Sequence, residues 1–293
     1  MNLLKTIGLF AGLAMLTTSC DYVSVPQQVG GTTGGGQDSG VTRVVLLEDY
    51  TGHFCPNCPR GAEAIDSIHT LFGDDVIAIS IHAGDFAKPG PEYGLPVNYP
   101  PNSFPEDFRT TPGNEWNVYF GLFAYPLGMV NRVPNPTNTN LLNLNSEWAT
   151  MVSLELAKAP TADLQIAPTY NSGTRTLNVT ISGEMLQDTS GTFMIKTVLV
   201  EDSIYEWQVD NELTPDYTQY YHNHMLRGAV DFPNSGWGDQ VLSGTIAATQ
   251  SSFTKSYTYV VNNNWDDDHL YIVSFLYDDA NKQILQAAKV KLK

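Results

Sequence analysis

Two cysteines stand three positions apart in FCPNCPRGAEAI, Cys55 and Cys58, each followed by a proline. Thiols at that spacing can exchange disulfides, supply half of a tetrahedral zinc site, or close a small covalent loop. As a staple the pair is weak. In the loop-entropy treatment a bridge across four residues contributes about 1.9 kcal/mol, against about 3 kcal/mol for a fifteen-residue loop. As a metal site it is incomplete, because no second CxxC exists and the candidate partners His53 and His82 sit at no ligand spacing. As a redox pair it has a mechanism. Cys55 is expected at a helix N-cap, Pro56 at the first helical position and Cys58 inside the first turn. Unpaired N–H groups and the helix dipole would then favour a thiolate at Cys55, leaving it the more exposed and more acidic thiol. Redox chemistry leads; zinc and an inert disulfide stay open.

That chemistry needs a strand before the pair and a helix after it. RVVLLEDY is a nearly continuous apolar run, as expected of a strand covered on both faces. PRGAEAIDSIHTLFG carries apolar residues at helical spacing and ends on Gly73, and DVIAISIHAG reads as a second buried strand. Strand, helix and strand with short joints imply a right-handed parallel unit. Residues 85–113 interrupt with seven prolines and read as an ordered insertion or lid. NEWNVYFGLF is expected as a short helix, LGMVNRV as a strand and NLNSEWATMVSLELAKA as a closing helix. From residue 161 the apolar period becomes two, with turn clusters such as NSGT and DDANK, which argues for an antiparallel sandwich. The expected division is therefore an α/β domain over 42–160 followed by an all-β antiparallel sandwich domain over 161–293.

The N-terminus sets the redox compartment. Residues 1–19 read as an export signal, with Lys5 ahead of the apolar IGLFAGLAML, which is too short to span a bilayer. LTTSC ends at Cys20 in the manner of a lipoprotein signal, and residues 20–41 are a Gly-, Ser- and Thr-rich tether. Lipidation of Cys20 leaves Cys55 and Cys58 as the remaining thiols, in an oxidising envelope that permits their disulfide. The net charge is −16, and loss of Lys5 with the signal makes it one unit more negative. Nucleic acid and anionic membrane faces are poor partners for such a chain.

VLLEDYTGHFCPNCP is similar to the first strand and active-site turn of thioredoxin-like proteins. The whole chain resembles a Bacteroidetes outer-membrane lipoprotein family related to a 28-kilodalton outer-membrane protein, with HNHMLRGAV and GWG as weaker signals in the second half. The resemblance implies a thioredoxin-like fold for 42–160, an outer-membrane address and protein thiols or disulfides as partners. It implies no cofactor and no metal. It makes Cys55 the attacking and Cys58 the resolving cysteine. Pro126 in AYPLGMV becomes the cis-proline facing the pair, and Asp49, or its neighbour Glu48, the buried acid beneath Cys58. Phe54 stands where a tryptophan is usual, and Pro59 and the proline-rich insertion depart from the pattern. The competing reading is a surface adhesin or nutrient-uptake accessory in which this domain is only a scaffold.

Other chemistry-bearing residues have plainer readings. His222 and His224 in YYHNHML form a possible metal pair on one strand face, with satisfied structural histidines the better reading. WDDDH at 265–269 lacks the spacing of a calcium loop. Tyr217, Tyr220 and Tyr221 read as sheet packing. The expected address has a direct check. Intact mass of the natively purified protein should show a chain beginning at acylated Cys20, not one with a free Cys20 thiol.

Overall fold

VLLEDYT has no polar face to offer to water and is buried along its whole length as strand β1 (Val45–Thr51). VIAISIH is buried likewise as β2 (Val76–His82). A computed structural model of the chain describes residues 40–293; the export signal, Cys20 and most of the tether lie outside the described residues. β1 and β2 pair in parallel from Val45↔Val76 to Thr51↔His82, connected by helix α1 (Pro59–Phe72), which Gly73 closes at φ 59°. The expected start of this helix is corrected. Cys58, not Cys55, is its N-cap, and Pro59, not Pro56, takes the first position. Either proline suits a site with no N–H to give. The choice falls to Pro59 because residues 55–58 close a turn of their own, with Cys58 N donating to Cys55 O at 3.3 Å.

The proline-rich segment is ordered and carries one 3-10 turn (Asp85–Ala87) and the short helix α2 (Gly90–Tyr93). Helix α3 (Thr111–Tyr119) follows, capped by the Thr110 hydroxyl accepting from Gly113 N. Strand β3 (Leu127–Val130) runs antiparallel to β1, and helix α4 (Asn145–Leu156) ends this half. The second half is all strand: β4 (Ala162–Asn171), β5 (Thr176–Met185), β6 (Thr189–Glu201), β7 (Ile204–Val209), β8 (Tyr217–His222), β9 (Met225–Ala229), β10 (Asp239–Ile246), β11 (Phe253–Val260), β12 (Leu270–Asp278) and β13 (Ile284–Lys291).

These strands do not form a sheet system of their own. One eight-stranded sheet has the order β13-β12-β6-β9-β2-β1-β3, with β10 also on β6. Its two halves join where β9 meets β2 at Ser80↔Met225, with Ser80 N donating to His224 O at 2.8 Å. The three-stranded sheet β11-β5-β4 packs Leu177, Val179 and Ile181 against Ile195, Leu199 and Ile272 of the large sheet, a sandwich-like layer. The boundary expected near residue 160 therefore separates two styles of chain: a single sheet crosses it, and residues 40–293 lie in one compact unit. The protein is a mixed α/β fold with a β-rich second half.

Side-chain alternation along β1 divides the core. Val45 and Leu47 face α1 and α4, packing with Ile65, Ile68 and Trp148. Leu46 and Tyr50 face the other way, onto Trp116 of α3 and Phe275 of β12. Glu48 shares that second face and accepts two hydrogen bonds from Arg132, at 2.6 and 2.8 Å. Both side chains are buried. The Arg132 guanidinium lies 5.0–5.2 Å from the rings of Phe120, Trp116 and Phe275, so one ion pair ties β1 to α3 and to the second half. Breaking a buried pair leaves an uncompensated charge. Arg132→Met is expected to destabilise the chain by about 3–5 kcal/mol in urea unfolding, and the Arg132→Met, Glu48→Leu double variant by much less.

Candidate functional site

Cys55 and Cys58 are joined in a disulfide, with an S–S distance of 2.10 Å and Cα atoms 5.4 Å apart. The turn that carries them is held on one side by the proline-rich insertion. Phe54 N donates to Phe86 O at 3.0 Å, and the His53 ring lies 2.6 Å from Lys88 O through Nε2. Phe54 stacks on Tyr93 at 3.9 Å and on Phe104 at 4.3 Å. Gly52 is required here, since a Cβ would lie 2.6 Å from Phe86 O.

The other side is roofed by a hairpin of the second half. β7 and β8 pair from Ile204↔His222 to Val209↔Tyr217, and their tip binds the cysteine turn through its backbone. Val209 N donates to His53 O at 2.8 Å and Asn211 N to Pro56 O at 3.1 Å. Gln208 Nε2 donates to Cys55 O at 3.0 Å, and the Asn211 amide to Asn57 Oδ1 at 2.7 Å. Arg60 on α1 pairs with Asp210 at 3.0 Å and also with Glu212. As a result Cys55 is 1% exposed and Cys58 3%. The expectation that Cys55 is the more exposed thiol is corrected: in the disulfide state the hairpin covers both. Nothing in residue spacing announces this roof, whose grip comes from backbone N–H groups and from Gln208 and Asn211, ordinary surface types.

Beneath Cys58 the two candidate acids separate. Asp49 faces α1: a Cβ on Gly61 would lie 3.4 Å from both its carboxylate oxygens and 3.2 Å from Pro126 Cβ. The first turn of α1 thus rests on Asp49 and on Pro126, whose bond to Tyr125 is cis. Asp49 is 2% exposed, its Oδ1 has no hydrogen-bond partner, and burial pushes its carboxyl up to about 8. Glu48, one residue earlier, points to the opposite face and is occupied by Arg132, so it is not placed beneath Cys58. Asp49 and Cys58 line a cavity of about 30 Å3 with Ser80, His82, Tyr220 and His222. A larger open groove of about 890 Å3 runs past Asn57, Arg60, Tyr125 and Pro126.

Three histidine rings surround Phe108 at 5.1–5.5 Å: His53, His82 and His222. All three are buried. Burial lowers His53 to about 4 and His222 to about 3, and drives His82 well below the ordinary imidazole range, with His222 and His53 adding to it. His222 and His224 do not share a face. His224 has φ 56°, which turns its ring toward His69, 5.0 Å away, while His222 meets His82 at 5.3 Å. In the WDDDH turn, Asp267 is paired with Lys293 at 2.7 Å and Arg175 at 3.4 Å, and Asp266 and Asp268 face solvent.

The family model described as outer membrane protein Omp28 matches residues 114–293. The chain belongs to that family, and its address is the outer membrane. The match begins in α3 and does not include Cys55 or Cys58. Among the described residues no helix is long and apolar enough to cross a membrane. HBP35 of Porphyromonas gingivalis is structurally similar, with a TM-score of 0.62, 16% identity, and coverage of 86% of this chain and 76% of that one. A domain of the outer membrane lipoprotein Omp28 from the same organism aligns over 46% of this chain and 91% of that one, at 20% identity and a TM-score of 0.32. A crystal structure of an Agrobacterium tumefaciens protein aligns over 86% and 96%, at 10% identity and a TM-score of 0.47. No curated protein matches the chain.

The hairpin gives the site a pH dependence. A neutral imidazole held below its ordinary value favours the closed state above about pH 6.5, and that advantage fades as acid protonates the solvated ring of the open state. Other groups titrate over the same range, so the histidine effect must be read against a variant. The rate at which a phosphine reductant opens the disulfide, taken as wild type over His222→Gln, should rise roughly 30-fold from pH 8 to pH 5.

Proposed function

We propose that the chain exchanges thiols and disulfides with protein partners in the envelope, using Cys55 and Cys58 within a thioredoxin-like arrangement of β1, α1, β2 and β3. The observation that carries this reading is the buried Asp49 carboxyl, with Oδ1 unpartnered, raised to about 8 and sharing a cavity with Cys58. A structural disulfide has no use for such a group, which disfavours folding wherever it would be ionised in water. Pro126, packed against the same first turn of α1 as Asp49, adds support.

The chemistry balances without a cofactor. Once the hairpin lifts, a partner thiolate attacks Cys55 Sγ and the Cys55–Cys58 bond breaks. Cys58 leaves with the electron pair and takes the proton of the neutral Asp49 carboxyl. A second partner thiol then displaces Cys55, so the partner dithiol is oxidised and the pair reduced. In reverse, ionised Asp49 takes the Cys58 proton and the new thiolate resolves a mixed disulfide on Cys55. Lipid on Cys20 would hold the site at the outer membrane. The burial of both cysteines favours a second reading, a binding protein with an inert bridge.

Asp49→Asn separates function from stability. The ionisation penalty is absent below about pH 4, grows as pH rises toward 8, and reaches up to about 4 kcal/mol at pH 7. The variant should therefore gain stability at pH 7 relative to pH 4 in urea unfolding, while its exchange slows. The direct test of function is trapping. Reduced Cys58→Ser should hold envelope proteins on Cys55 as mixed disulfides, Cys55→Ser should hold none, and the wild type should turn over insulin disulfides. No adducts and no turnover would leave the binding reading.

A further inference from the structure

Among the described residues, His82 alone leaves two buried side-chain polar atoms unmet. It is 3% exposed; neither ring nitrogen makes a hydrogen bond of good geometry, although the Ser80 backbone comes close enough to one to favour the charged ring slightly. A neutral imidazole has one N–H to give and one nitrogen to accept with, and each left unmet inside a protein costs roughly 1–3 kcal/mol. Asp49 Oδ1 is orphaned in the same way. Both side chains line the cavity of about 30 Å3 that also touches Cys58. That volume is enough for one water molecule, and the lining supplies the two to four polar partners that a buried water needs.

We propose that His82 is a positioning residue for the Asp49–Cys58 pair, acting through a water molecule held between them. The water accepts from one His82 nitrogen, or donates to it, and donates to the Asp49 carboxylate. When Asp49 gives its proton to the leaving Cys58 sulfur, the carboxylate that remains needs a donor at Oδ1, which has none in the disulfide state. His82 supplies that donor through the water, and its neutral ring can serve either protonation state of Asp49 by exchanging tautomers. The surroundings keep the ring neutral: His222 from β8 meets it at 5.3 Å, and His53 and the Arg227 cation of β9 also disfavour a charge on it. Tyr220 of β8, raised to about 12, stays neutral. Asp49 is therefore the one group of this cluster that changes charge near neutral pH.

The proposal deepens the exchange reading, but its test does not depend on exchange. The infrared carbonyl band of the protonated Asp49, assigned by difference from Asp49→Asn, is followed against pH in the oxidised full-length chain. His82→Phe should move its midpoint upward from about 8 by about one to two pH units, because a charge-directed hydrogen bond is lost. His82→Gln, which can still meet a water, should restore most of the shift. If the wild type exchanges disulfides, the pH profile of its rate should move with the midpoint in His82→Phe. A shifted midpoint without any exchange activity supports the relay and removes the function; an unmoved midpoint overturns the relay whether or not the protein is active. Should His82→Phe fail to fold, the ring 15N shifts of wild-type His82 decide. An inflection near pH 8 supports the water link, and a flat response overturns it.

Discussion

Three backbone-directed hydrogen bonds from one hairpin decide what this site can do. Val209 N, Asn211 N and Gln208 Nε2 bind the carbonyls of His53, Pro56 and Cys55. Carbonyls in a turn must find donors once water is excluded, and here the donors come from a strand pair some 150 residues away in the chain. The same contacts bury the cysteines, close the cavity over Asp49 and press His222 against His82. Burial of His222, which lies on β8 itself, follows from that closure, so its shifted protonation reports the hairpin's position as much as its own chemistry. While the hairpin holds this position, neither sulfur is open to solvent.

The closure is possible because the two halves of the chain share one sheet. Ser80 and Met225 join them at the cysteine end. At the far side Asn131, at φ 48°, accepts from Leu46 N through its side chain and from Ile284 N through its carbonyl, both at 2.9 Å, and donates to Glu155 at 3.1 Å. Arg43 reaches the same Glu155 at 2.7 Å. With the Glu48–Arg132 pair between these points, the hairpin is anchored to a frame that cannot slide against β1. The two-stranded β7–β8 unit pairs with no other strand among the described residues.

Much of this frame was legible in the residues. β1, α1 and β2 follow from apolar runs whose period permits little else, and the cysteine spacing with its strand and helix located the site. Asp49 and Glu48 were not distinguishable by type, since both are acids inside an apolar run. Only parity with Val45 and Leu47, which face α1, assigns Asp49 to the cysteines. The helix start was misread because Pro56 and Pro59 fit the first position equally well, and a turn hydrogen bond chose between them. The roof was illegible for a deeper reason. Its contacts use main-chain groups, which carry no sequence signature; His222 and His224, read from the sequence as structural histidines, are separated by the left-handed turn at His224. The boundary near residue 160 was a true change of period that a continuous sheet nonetheless crosses.

The reduction potential of the Cys55–Cys58 couple tests the central claim most directly. The full chain would be equilibrated with dithiol–disulfide buffers at pH 7, quenched by alkylation, and the reduced fraction read by mass. A pair that exchanges with protein partners should lie within the span of exchange couples, about −120 to −270 mV. A potential below about −300 mV, where structural bridges of secreted proteins lie, would contradict it.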